Sequence, residues 1–207
     1  MTSSRAVDSF TEIATLRIEL KDSDPLIWRV VEVPTSVTLK VLHDIVQVTM
    51  GWLDYHLWEF VIAGQSYGLP MDDHQGTTAR KVASRTRLRD VLSPGTTMIH
   101  YTYDFGDNWE HTLAVSDVRR GDPGSAYPRF IAGERDCPPE DCGGIPGFYE
   151  MLEARADPIH PDHPAISEWL EDYDPDALDV FPIQVALGRI AARRNDAGVR
   201  LMKPTND

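Results

Sequence analysis

The sequence predicts an α+β domain: a mixed or antiparallel sheet, a buried helix in the N-terminal half, and further helices toward the C-terminus. Three observations lead there. Residues 13–20 and 99–115 alternate apolar and polar side chains with a period of two. Residues 38–51 carry a helical pattern that is apolar on two sides and bounded by a start and a stop signal. Strand patterns precede most of the helical ones, which favours α+β over alternating α/β.

The elements follow in order. Leu16, Ile18 and Leu20 alternate with polar partners, so Ile13–Leu20 reads as a half-buried strand. Asp22-Ser23-Asp24-Pro25 is turn chemistry, and Leu26–Val33, ended by Pro34, completes a hairpin. Thr38 is the expected N-cap of a helix running to about Met50, with Gly51 as its stop. Leu39, Leu42, Val46 and Met50 share one face, and Val41, Ile45 and Val48 another, so the helix is expected to be buried. Residues 52–62 alternate again, with Trp58, Phe60 and Ile62 on one side. Residues 68–86 are polar and read as irregular, and Leu88–Leu92 reads as a short helical turn.

Two alternating runs flank Phe105-Gly106-Asp107-Asn108, and the Gly-Asp centre suits a tight hairpin turn. The Pro/Gly-rich loop 137–147 follows, and helices are expected at Phe148–Ala156, Ala165–Tyr173 and Ile183–Arg194. Pro164 and Pro182 occupy helix-start positions, while Arg193 and Arg194 suit the negative end of the last helix. One domain over residues 11–195 is expected, between flexible tails at 1–10 and 196–207.

Charge limits the partners. The 207 residues carry −13, and −12 of it falls between Glu134 and Val180, where fourteen acids face only Arg135 and Arg155. Such a surface repels phosphate backbones, which makes a nucleic-acid partner unexpected. The counter-signal is Arg80, Lys81, Arg85, Arg87 and Arg89, whose plainer reading is a solvated polar segment. No apolar run reaches the ~20 residues of a membrane span. The first residues lack the apolar stretch of a secretory signal, so a cytoplasmic protein with reduced or ligating cysteines is expected.

Several groups of residues have the chemistry of a site. In the 99–115 hairpin a two-residue loop places Asp104 opposite Trp109 and Thr102 opposite His111, all on one side of the sheet. Moving the turn centre by one residue pairs Asp104 with His111 directly, whereas a three-residue loop separates them. A carboxylate beside an imidazole orients a base or binds a metal, or simply stabilises the sheet. Cys137 and Cys142, with four residues between them, and His160 and His163 downstream form only a weak zinc pattern, because the histidines are too closely spaced. A more diffuse divalent-metal set is His43, His56, Asp104 and His111. Phosphate-binding loops, the dinucleotide fingerprint, the nucleophile elbow and the His-Glu-x-x-His helix are absent from the sequence.

Five segments then occur in a fixed order: Pro25–Val30, Leu42–Gln47, Gly51-Trp52 with His56–Phe60, Tyr101–His111, and Cys137–Gly144. Together they resemble the plasmid pRiA open-reading-frame-three-like family of bacteria and archaea, over roughly residues 12 to 180. The Tyr-Asp-Phe-Gly-Asp-x-Trp-Glu-His and Pro-Pro-Glu-Asp-Cys-Gly-Gly segments are the most specific. The resemblance implies an α+β fold without an established activity, and some members carry a transposon-resolvase label. Serine recombination needs a serine nucleophile set among arginines, and Ser3, Ser4 and Ser9 lie in the expected tail.

The leading expectation is an intracellular binding or interaction module with a groove beside this hairpin. Its candidate residues are Trp52, His56, Asp104, Asp107, Trp109, His111, Glu140, Asp141 and Cys142, and its ligand is an unidentified protein or small molecule. The alternatives are a metal-dependent hydrolase or metal-binding enzyme using His43, His56, Asp104 and His111, and, disfavoured, a DNA-recombination protein.

Overall fold

A computed structural model describes residues 11–70, 80–92 and 98–202, the last stretch with side chains through Arg194. The expected tail at 1–10 and the part of the irregular segment at 71–79 lie outside the described residues, as do residues 203–207.

The chain opens with β1 (Glu12–Leu20) and β2 (Trp28–Pro34), the expected hairpin. Helix α1 (Leu39–Met50) follows, and its ends form as the sequence predicts. The Thr38 hydroxyl accepts the Val41 amide at 3.3 Å, and Gly51 closes the helix with a left-handed φ of 90°. Leu39, Leu42, Ile45, Val46 and Met50 are buried, so both apolar faces find cover.

Strands β3 (Trp58–Ile62) and β4 (Gln65–Gly68) make a second hairpin, and β5 (Lys81–Val82) runs parallel to β4. Helix α2 (Leu88–Val91) is a single turn. Strands β6 (Met98–Tyr103) and β7 (Trp109–Arg120) form the central hairpin, and β8 (Arg129–Glu134) pairs with β2. Helices α3 (Gly144–Ala156), α4 (His163–Leu170) and α5 (Val180–Met202) complete the fold. One open mixed sheet runs β5-β4-β3-β6-β7-β1-β2-β8. The α+β class and the mixed sheet are therefore as expected.

Alternation along β1, β3, β6 and β7 gives the sheet a buried face, carrying Leu16, Ile18, Trp58, Phe60, Tyr101 and Trp109. An unusual occupant of the interior is Arg29, which is fully buried. Its Nε donates to the Thr49 carbonyl at 2.7 Å, and Nη1 donates to the carbonyls of Trp28 and Glu134, each at 2.9 Å. Backbone oxygens replace water around a charge that burial would otherwise penalise severely.

Two expectations need correction, and one strand falls where the sequence signals none. Residues 52–57 are not strand; the strand begins at Trp58, and His56 sits in a bend before it. Lys81–Val82 is ordered strand within the segment read as irregular. Strand β8 was not anticipated, because neither of its faces is buried and no alternation marks it.

The five expected basic residues between Arg80 and Arg89 are largely engaged within the fold. Arg80 pairs with Glu59 at 3.2 Å, Arg87 donates to the Ser36 carbonyl at 2.9 Å, and Arg89 approaches Asp90. Among the described residues no helix is long and apolar enough to cross a membrane.

Candidate functional site

The central hairpin has a register that moves one of the expected partners. Tyr103 pairs with Trp109 and Tyr101 with His111, leaving a five-residue loop, Asp104 to Asn108. Left-handed backbone at Asp104 (φ 51°) and Asn108 (φ 56°) shapes it, and Asp104 Oδ1 accepts the Gly106 amide at 2.9 Å. A register change of one residue exchanges the two faces of a strand. His111 therefore lies on the core face with Tyr101, not beside Asp104 as expected.

His111 is 1% exposed and meets Trp52 edge-on with ring centroids 5.2 Å apart. Its Nδ1 contacts the Trp109 carbonyl at 3.1 Å, while Nε2 has no hydrogen-bond partner. Burial, with Arg29 adding to it, pushes its pKa down to about 3, so the ring stays neutral. Trp109 is likewise core. Trp52 stacks on Tyr103 with centroids 5.1 Å apart and donates its Nε1 hydrogen to the Pro138 carbonyl at 3.0 Å, which anchors the cysteine loop.

The metal set expected from His43, His56, Asp104 and His111 is divided by the fold. His43 stacks on Trp58 with centroids 4.0 Å apart. Its Nε2 donates to Asp54 Oδ1 at 2.8 Å, and its Nδ1 accepts from the Tyr101 hydroxyl, also at 2.8 Å. Tyr101 in turn accepts from Gln47 Nε2 at 2.9 Å. This chain of hydrogen bonds fixes one tautomer. Burial lowers the His43 pKa to about 4, with Lys40 contributing and Asp54 opposing. His43 lies near Asp44 and Asp54 in a grouping compatible with a cation, but both its ring nitrogens are already engaged.

His56 has different company. Its Nε2 is sheltered from solvent and makes no hydrogen bond, yet three carboxylates converge on it. Asp141 Oδ1 is 3.1 Å away, Asp104 Oδ2 3.7 Å and Glu140 Oε2 3.8 Å. The Asp141 contact is short but lies off the line of the ring N–H, which reconciles its distance with the missing hydrogen bond.

Glu140 is held in place from two sides: Oε1 accepts the Leu53 amide at 2.8 Å, and the Tyr103 hydroxyl donates to the carboxylate at 3.1 Å. Burial first, and Glu140 second, raise the Tyr103 pKa well above its ordinary value, so the hydroxyl keeps its proton. This clamp was invisible in sequence, where nothing connects Tyr103 with Glu140.

The loop after Cys137 is locked to the hairpin. Asp107 Oδ2 accepts the Gly143 amide at 3.1 Å, and Gly144 (φ 69°) presses against the Asp107 carbonyl so closely that no side chain would fit. Gly147 has the same relation to the Cys142 carbonyl. Both cysteines are free thiols, and burial pushes each up to about 12. Cys137 lies 3.8 Å from Arg29 Nη2, His163 contacts the Ala154 carbonyl, and His160 approaches Asp162, so the cysteine–histidine zinc set is not assembled.

Beside this loop a cleft of about 680 Å³ opens between α3 and α4. Its lining joins Asp141, Cys142 and His160 with the apolar Met151, Ile166 and Trp169 and the carboxylates of Glu150, Glu153, Asp157 and Asp162.

The fold and this arrangement define a mixed α/β protein with an open sheet and a carboxylate-rich recess at the end of its central hairpin. The chain belongs to the plasmid pRiA4b ORF-3-like protein family, whose model matches residues 12–181. It is 35% identical over 186 residues to uncharacterized protein y4hQ of Sinorhizobium fredii, covering 87% of this chain and 93% of that protein. The crystal structure of MM3350, a protein of unknown function from Methanosarcina mazei Go1, superposes with a TM-score of 0.76 at 33% identity. That match covers 82% of this chain and 96% of that one.

Proposed function

We propose that this protein is a cytoplasmic binding module that captures a lysine- or arginine-rich segment of a protein partner in the cleft beside the cysteine loop. One observation carries the reading: five carboxylates, from Asp141, Glu150, Glu153, Asp157 and Asp162, line the cleft together with the apolar Met151, Ile166 and Trp169, and among the described residues no lysine or arginine lines it. Trp169 is 52% exposed there, a rigid aromatic face suited to a cation or to an aliphatic stem. The free thiols support the cytoplasm as the compartment.

A basic peptide titrated into the protein by calorimetry tests the proposal. Binding that weakens steeply between low and physiological salt, and weakens further in Glu150→Gln/Glu153→Gln, is the expected result. Equal affinity for an acidic peptide, or no change in the double variant, would sink the idea.

A further inference from the structure

We infer that His56, Asp104 and Asp141 bind one divalent first-row transition ion, zinc or manganese, with Glu140 clamped alongside. The three donors come from three separate segments: the bend before β3, the hairpin loop and the cysteine loop. Their ligating atoms lie within 4.8 Å of one another.

Two features distinguish this group from an ordinary acidic surface. Asp104 is only 8% exposed, spends Oδ1 on the Gly106 amide, and holds Oδ2 3.7 Å from His56 Nε2, where among the described residues no hydrogen-bond donor meets it. The sheltered Nε2 of His56 also lacks a hydrogen bond. Moreover, among the described residues no lysine or arginine pairs with Asp104, Glu140 or Asp141; their only ion-pair contact is His56. A nearly buried carboxylate such as Asp104 without a cation is costly, and a bound metal supplies the missing charge.

The distances fit. With bonds of about 2.1 Å, neighbouring ligand atoms stand about 3.0 Å apart at a right angle and about 3.4 Å apart in a tetrahedron. The observed 3.1 and 3.7 Å from Nε2 bracket that spacing, so Asp104 needs to move only a few tenths of an ångström. An ion on the in-plane lone pair of Nε2 also explains why Asp141 lies off that line. One imidazole with carboxylates, and no thiolate, suits zinc or manganese rather than a soft ion. Asp141, with a side chain 70% exposed, leaves an entry path from solvent.

Chelator-stripped protein titrated with Zn²⁺ and, separately, Mn²⁺ tests the site, with calorimetry for both and electron paramagnetic resonance for manganese. One ion per chain is expected. His56→Gln and Asp141→Asn should each weaken binding at least about tenfold, while Asp54→Asn, beside His43, leaves it unchanged. Because Asp141 is mostly exposed, Asp141→Asn keeps the test open even if an Asp104 variant fails to fold. Substoichiometric binding of both ions, binding of calcium alone, or undiminished affinity in His56→Gln would overturn the assignment. The metal site and the peptide cleft share Asp141, but His56→Gln probes the metal alone and Glu150→Gln/Glu153→Gln the peptide alone, so either reading can fail by itself.

Discussion

The carbonyl of Asp107 occupies the space that a side chain on Gly144 would need. This contact, with the Gly143 amide bonded to the Asp107 carboxylate, sets the distance between the hairpin loop and the cysteine loop, and so the spacing of Asp104 and Asp141.

Gly144→Ala is accordingly expected to cost about 2–4 kcal/mol, combining a left-handed φ of 69° with direct overlap. Gly51→Ala provides the contrast. Its φ is 90°, but nothing lies within 4 Å of the added carbon, so about 1 kcal/mol is expected. Urea melts of the two variants would measure the difference.

Acid should destabilise the fold through two neutral imidazoles. His43, facing Lys40, Asp44 and Asp54, and His111, facing Arg29, have pKa values lowered to about 4 and about 3. In the unfolded chain both titrate near 6.5, so below that pH the unfolded state binds protons that the native state does not. Stability is fully present above about pH 6.5 and falls toward the lowered values. Between pH 7 and pH 5 the two together should remove about 4 kcal/mol. Denaturation at several pH values reads the slope, and a flat profile across that range would contradict it.

Thiol chemistry gives a third check. With both cysteines pushed up to about 12, the thiolate fraction at pH 8 is small. A thiol reagent should label the native protein slowly and modify both residues promptly once it is denatured. Fast labelling of Cys142 in the folded state would show that the cysteine loop opens.

Replacing Arg29 by methionine removes the donors that serve the Thr49, Trp28 and Glu134 carbonyls, and about 2–4 kcal/mol should be lost. Arg29→Lys should recover only part, since one ammonium cannot span positions met by a planar fork. Thermal unfolding of the two variants would rank them.

What could be read from sequence was local. Thr38 and Gly51 bound α1 by interactions within a few residues, and both behave as expected. Leu16, Ile18 and Leu20 alternate plainly enough to place β1. By contrast β8 exists because β2 offers it partners, and its own residues carry no pattern. At the site, Asp104, His56, Glu140 and Asp141 were all candidates, but their grouping depended on the loop register. A five-residue loop built on two left-handed residues sent His111 into the core and left His56 to meet the acids. The Tyr103–Glu140 clamp required knowing which distant loops touch, and no local signal encodes that.

The two ends of the sheet differ in how they would meet another molecule of the same chain. At one end Lys81–Val82 offers an incoming strand only two residues of backbone, one of them charged. At the other, Arg129–Glu134 presents a full strand, with Ile131 46% exposed. Edge-to-edge growth, if concentrated samples form fibres, should begin at Arg129–Glu134, and a proline or lysine at position 131 is the substitution best placed to block it.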